Sequence, residues 1–270
     1  MMRSNLFFAA VLSLGLSISA SAADRVGDFA LLDHTGTFHQ LSYYGDHDAV
    51  VILVNGGTSL AQDGTVSAVS NIASNYAGNA QFWVLNPVSA DSRADVADRL
   101  NAVGAEMPVL MDESQMTAKS LGAEKLGEVL VINPANRELV YRGSVSGLDA
   151  ALSALPAQTA ASGTADLGSK IEYTAHDAIS YSKDIVPILE QNCVSCHRDG
   201  AIAPWSMSSH AMVKGWSPMM REVVMTRRMP PGQIDGHVGK PLKDVAGLSV
   251  DEQQKLIQWI DQAAPSLGAP

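Results

Sequence analysis

The string Cys193-Val194-Ser195-Cys196-His197 constrains this chain more than any other feature, because it holds the only two cysteines in 270 residues. Two thiols three positions apart can add to the two vinyl groups of one porphyrin, and the next residue then sets an imidazole beneath the iron. The spacing therefore predicts one covalently bound haem c, attached through Cys193 and Cys196 and ligated by His197. A disulfide across two intervening residues would use the thiols and leave His197 without a role. Zinc is the competing metal and wants four ligands in a tetrahedron. Cys196 and His197 are adjacent, and His210 and His237 could complete such a site only through long loops.

The second axial ligand has several candidates, since Met207, Met212, Met219, Met220, Met225 and Met229 all come after the string. Methionines spaced along helices usually fill cores. Met229 differs, because it leaves an expected helix at Arg228 and precedes Pro230-Pro231-Gly232, a stiff loop that can hold a thioether at fixed height. It is the expected sixth ligand in a His197/Met229 pair of the kind that raises haem potential; His237 or an open position are the alternatives. With both axial positions filled, electron transfer is what remains. An open position would permit haem peroxidase chemistry or gas sensing, and the methionine-rich span could hold copper(I). Trp205, Trp216 and Trp259 would cover the ring or pack as core. Arg227 and Arg228 could guide an anionic partner or pair with propionates.

The first residues give one Arg3, an apolar run and small residues at Ala20, Ala22 and Ala23, which predicts a signal peptide over 1–23 and a periplasmic protein. No later segment reaches the ~20 apolar residues that a membrane span needs. Charge is divided unevenly. Residues 24–180 hold nineteen acids against eight bases, a net of −11, whereas nine of each are found from residue 181 onward. Such an acidic field repels nucleic acid and leaves redox proteins of the cell envelope as the expected partners.

Between 24 and 155 short apolar runs alternate with helical stretches, the pattern of an α/β layer. Strands are expected at 50–54, 81–85, 109–111, 128–132 and 138–141. Val66, Val69, Ala73 and Tyr76 recur at helical spacing, as do Val96, Leu100 and Val103. Residues 156–170, rich in Ala, Ser, Thr and Gly, are expected to be a linker. From 171 to 270 the pattern is helical throughout. Ile185, Ile188 and Leu189 form a stripe before Cys193, with Pro187 in a first turn. Ser217-Pro218 is expected to open a helix reaching Arg228. Ser249 and Glu252 form a capping box for a last helix bearing Leu256, Ile257, Ile260 and Ala263.

The runs YSKDIVPILEQNCVSCHRDGAIAPW, MVKGWSPMMREVVMTRRMPP and LSVDEQQKLIQWIDQAAP resemble the c-type cytochrome part of exported bacterial proteins in which a redoxin-like domain is fused to a haem-c domain. The runs VGDFALLDHTGTFHQLS and VLMDESQMTAKSLGAEKLGEVLVINPANRELVYRG are similar to the thioredoxin-like peroxiredoxin and redoxin group. The resemblance implies an α/β thioredoxin-like domain over 24–155, then an all-α cytochrome c-like domain over 171–270. It also implies an absence. Where the group carries its reactive cysteine, this chain has Asn-Gly-Gly-Thr-Ser-Leu, with Thr58 or Ser59 in the cysteine's place, and Gly127 stands where many members have a cis-proline. An unactivated hydroxyl cannot cycle through sulfenic acid or a disulfide, so no catalytic residue is expected in this half. Ser59 also lacks the elbow motif of a hydrolase nucleophile, and His34, His39 and His47 are expected on the surface. The balance favours a carrier over an enzyme; thiol–disulfide exchange with a partner's cysteines is the enzymatic alternative.

Overall fold

The computed structural model describes residues 24–62, 64–155, 167–233, 235 and 247–266. The expected signal peptide, most of the expected linker and His237 lie outside the described residues.

The run Ala-Val-Val-Ile-Leu-Val forms β3 (Ala49–Val54), whose six residues are all buried. A strand apolar on both faces must be covered on both. It pairs in parallel with β4 (Ala80–Asn86), which pairs in parallel with β5 (Val109–Met111). On its other edge it pairs antiparallel with β6 (Val129–Asn133), which pairs antiparallel with β7 (Glu138–Gly143). The order is β5-β4-β3-β6-β7.

Successive strand residues point to opposite faces, so the sheet separates two cores. Ala49, Val51 and Leu53 face Val66 and Val69 of α2 (Thr65–Ala73), Val96 and Leu100 of α3 (Arg93–Val103), and Leu148 and Leu152 of α5 (Leu148–Ser153). Val50, Ile52 and Val54 face Phe29, Leu31, Trp83, Leu130 and Ala118 of α4 (Met116–Ser120). A short α1 (Ser59–Gln62) comes after β3. Three parallel strands and two antiparallel ones, with helices on the crossovers, define an α/β thioredoxin-like fold in the N-terminal half.

The five expected strands are present, with ends shifted by one or two residues. A hairpin of β1 (Ala30–Leu32) and β2 (Phe38–Gln40) adds to them; at three residues each, these strands are too short to show alternation.

After Ile171 the described residues contain helices and no strand. A π-helical turn, Tyr181–Ile185, leads into α6 (Val186–Asn192), and α7 (His210–Met225) and α8 (Val250–Asp261) complete the set. Their shared core is Ile185, Ile188, Leu189, Val213, Met220, Leu256, Trp259 and Ile260.

Three expectations need correction. Ser217-Pro218 does not open a helix: α7 starts eight residues earlier, capped by the Ser209 hydroxyl, and Pro218 lies inside it. Proline cannot donate to the carbonyl four residues back, and the Ser217 hydroxyl donates to that Lys214 carbonyl instead, at 2.8 Å. The helix also stops at Met225, short of Arg228. Ala263 lies beyond α8 with φ +65°, and Trp259 takes the buried position on the helix. The capping box of Ser249 and Glu252 is formed.

The two halves are packed together. Gly168 N–H donates to the Leu126 carbonyl, Leu126 N–H to Ser169 O, and Ile171 N–H to Glu124 O, so the end of the expected linker is bonded to the N-terminal half. Ile171, Met225 and Ile257 are buried against the same sheet face as Phe29 and Trp83. Among the described residues, no helix is long and apolar enough to cross a membrane.

Candidate functional site

Helix α6 ends where the Cys193 and Val194 N–H groups both reach the Leu189 carbonyl. The chain then turns tightly: Cys196 and His197 donate back to the Cys193 carbonyl at 3.1 and 2.9 Å, which brings both thiols and the imidazole into one turn. The thiols are not joined to each other. Burial, with smaller contributions from Glu252 and Cys196, pushes the Cys193 thiol up to about 11, whereas Cys196 is exposed.

His197 is fixed by the segment from Ala203 to Met207. Its Nδ1 lies 3.1 Å from the Trp205 carbonyl, which can only accept, so Nδ1 carries the hydrogen and Nε2 keeps its lone pair. The Met207 N–H donates to the His197 carbonyl and the Ala203 N–H to that of Cys196, closing the loop between them. The Trp205 ring stacks on Trp216 at 5.3 Å and 17° and packs against the His197 ring at 4.8 Å. Trp259 departs from the ring-covering expectation: it is fully buried, stacked on Tyr181, and donates to the Pro265 carbonyl.

The methionines separate. Met220 lies in the helical core and Met225 in the sheet-face core, while Met212, Met219 and Met229 are exposed, the last at 39%. Among the described residues of the C-terminal half, the large apolar side chains left exposed are these three, Val250, and Ile202 at 90%.

No three His, Cys, Asp or Glu side chains converge among the described residues, which do not include the His237 of the zinc alternative. His210 Nε2 instead donates to the Ala264 carbonyl. Arg228 pairs with Glu222 at 2.5 Å and with the Thr226 hydroxyl at 3.0 Å. Arg227 is half-buried at φ +56°, and the carboxylates of Asp235 and Glu113 act on it.

In the N-terminal half, the loop after β3 is a closed polar knot. The Ser59 hydroxyl binds Asn55 Oδ1 and the Gly56 carbonyl. The Gly57 N–H and Asn86 Nδ2 both donate to Asp91 Oδ2, and Arg99 donates to Asp91 Oδ1. A Cβ on Gly56 would lie 2.1 Å from Asn86 Oδ1. Among the described residues, the partners of the Ser59 hydroxyl are an amide oxygen and a carbonyl, and neither is a base. Gly127 adopts φ +86°, with Leu167 and Gly168 beside it.

One histidine expectation fails. His39 is buried, its Nε2 donating to Asp33 Oδ2 at 2.9 Å and its Nδ1 accepting from the Tyr44 hydroxyl at 3.1 Å. Burial would raise the Asp33 carboxyl, but hydrogen bonds from Thr35, His39 and Thr37 outweigh it and hold the group below its ordinary value. The short hairpin that turns His39 inward left no periodic signal in the sequence.

No protein-family model matches the chain, and no curated protein matches it. Among solved structures, a hypothetical protein from Sinorhizobium meliloti overlaps 58% of this chain and 97% of its own at 23% identity and a TM-score of 0.47. An uncharacterized conserved protein from Geobacillus kaustophilus overlaps 57% and 93% at 20% identity and 0.48. The peroxidoxin BcpB of Mycobacterium tuberculosis overlaps 48% and 90% at 21% identity and 0.39.

Proposed function

We propose that this chain is a periplasmic electron-transfer protein whose C-terminal half is a c-type cytochrome domain, bearing one haem c on Cys193 and Cys196 with His197 and Met229 as axial ligands, and whose thioredoxin-like half does no thiol chemistry. The observation that carries the reading is the His197 turn: two unpaired thiols and an imidazole whose Nδ1–H is held by the Trp205 carbonyl. A metal-binding histidine needs its other ring nitrogen engaged in this way, which fixes tautomer and orientation. The residues present fit the group. Trp205 and Trp216 are half-buried and stacked beside His197, apolar area of the kind that a porphyrin covers.

When bound, the haem supplies reversible one-electron exchange at iron. Cys193 and Cys196 would hold it by two thioethers and His197 by its imidazole, which the Trp205 carbonyl orients. Met229 has the stiff Pro230-Pro231 segment behind it, and the Gln233 amide donates to its carbonyl at 2.9 Å. Purification of the exported protein and then acid–acetone extraction tests the attachment. Haem that stays with the polypeptide supports the reading, and release of all haem, or none present at all, refutes it.

A thioredoxin-like fold beside a Cys-x-x-Cys pair invites a second reading, thiol–disulfide exchange. The separation of the two thiols by two residues favours it. The Cys193 thiol, pushed up to about 11, disfavours it, because the thiolate is the nucleophile. Reduction of a disulfide substrate by the haem-free chain, lost in Cys193→Ser, would establish it in place of the first.

A further inference from the structure

An electron-transfer role for the haem leaves the thioredoxin-like half without a task, and the loop after α7 supplies one. The other half holds the described part of this segment at two points. One is Met225, the last residue of α7, 3% exposed and packed in the sheet-face core with Trp83 and Ile52. The other is Asp235, whose carboxylate accepts from Arg93 Nη1 at 2.6 Å, with the two side chains 19% and 16% exposed. Between them stand Met229 and the buried Pro230.

Arg93 is oddly placed for any other purpose. It is the first residue of α3, behind the Ser92 cap, and a cation there opposes the positive end of the helix dipole. The fold makes room for its side chain at Gly36, φ +91°, where a Cβ would stand 3.3 Å from Nη1 and 3.6 Å from Asp235 Oδ2. Arg227 joins the same charge group, acted on by Asp235 from its own loop and by Glu113 and Arg93 from the N-terminal half.

Resting on the haem reading, we propose that the thioredoxin-like half is the positioning scaffold of the sixth-ligand loop, and that the Arg93–Asp235 ion pair fixes the loop in which Met229 is presented to iron. Arg93 is thus a positioning residue acting through Asp235.

The test uses the full-length, haem-loaded protein and its Arg93→Gln, Arg93→Lys and Asp235→Asn variants. The expected result for Arg93→Gln is unchanged covalent haem, a weakened far-red methionine-to-ferric-haem band, and about a fivefold larger fraction of ferrous haem open to carbon monoxide, the scale of one partly exposed ion pair. Arg93→Lys restores the band, and Asp235→Asn reproduces the loss from the loop side, so the test survives if one variant fails to fold. In the haem-free chain, the amides of Arg227, Arg228 and Met229, bonded to Val224 and Val223 carbonyls, exchange faster in Arg93→Gln. A folded Arg93→Gln protein with covalent haem and unchanged band, carbon monoxide binding and exchange overturns the proposal while leaving the haem reading intact. A wild-type protein without covalent haem overturns both.

Discussion

The Nδ1 of His197 lies 3.1 Å from the carbonyl oxygen of Trp205, eight residues further along the chain. A backbone carbonyl cannot donate, so this contact sets the tautomer of the imidazole. The two rings also touch, and Trp205 in turn stacks on Trp216 of α7. The orientation of the His197 ring is therefore tied to helix packing.

Trp205→Ala removes that stack and half-buried apolar area, and is expected to cost about 2 kcal/mol. If the proposed haem is bound, the substitution should also shift the haem's midpoint potential by freeing His197. Thermal unfolding and a potentiometric titration measure the two effects; a variant with wild-type melting and potential would show that the stack does not support the ligand.

Gly56→Ala would put a methyl 2.1 Å from Asn86 Oδ1 and 2.8 Å from Val88 Cγ2, both side-chain atoms in a loop already bound on every side. The expected destabilisation is about 1–3 kcal/mol, the usual size for overpacking. A melt lowered by several degrees, with the haem spectrum unaltered, confirms that the knot after β3 is structural.

The carboxyl of Asp112 is fully buried, and burial outweighs its bonds from the Ala118 and Thr117 amides, pushing it up to about 6 from 3.8. The folded protein therefore keeps a proton that the unfolded chain releases. The stability so gained is complete below pH 3.8 and is lost as pH rises through about 6. Asp112→Asn cannot ionise and should flatten that slope, a difference on the order of 3 kcal/mol at 1.36 kcal/mol per pKa unit. Urea unfolding at pH 4 and pH 7 reads it directly; equal pH slopes in the two proteins would contradict it.

In the haem-free chain, iodoacetamide at neutral pH should alkylate the exposed Cys196 well before Cys193. At about 11, only about one Cys193 in ten thousand is a thiolate at pH 7, a share that grows tenfold with each pH unit. Peptide mass spectrometry after timed labelling checks the order, and equal rates would mean that Cys193 is not buried as described.

The readable parts of the sequence were those where one physical requirement dominates. β3 announces itself because six consecutive apolar residues must be covered on both faces, and the Ser249 capping box announces α8 because its two bonds need those residue types. Pro218 misled because a proline at a helix start and a proline excused by the Ser217 hydroxyl look alike in sequence. His39 and Arg93 were unreadable for another reason. Their partners, Asp33 at the end of a hairpin of three-residue strands and Asp235 more than a hundred residues away, are chosen by packing that leaves no local period.

The ferric absorption spectrum of the purified wild-type protein, set beside that of Met229→Ala, tests the central claim most directly. The account predicts a low-spin spectrum with a far-red methionine band in the wild type, and a six-to-five-coordinate change with loss of the band in the variant while the haem stays covalently bound. A wild-type spectrum that is already high-spin and lacks the band would contradict it, and would point to an open iron and to catalysis or gas binding.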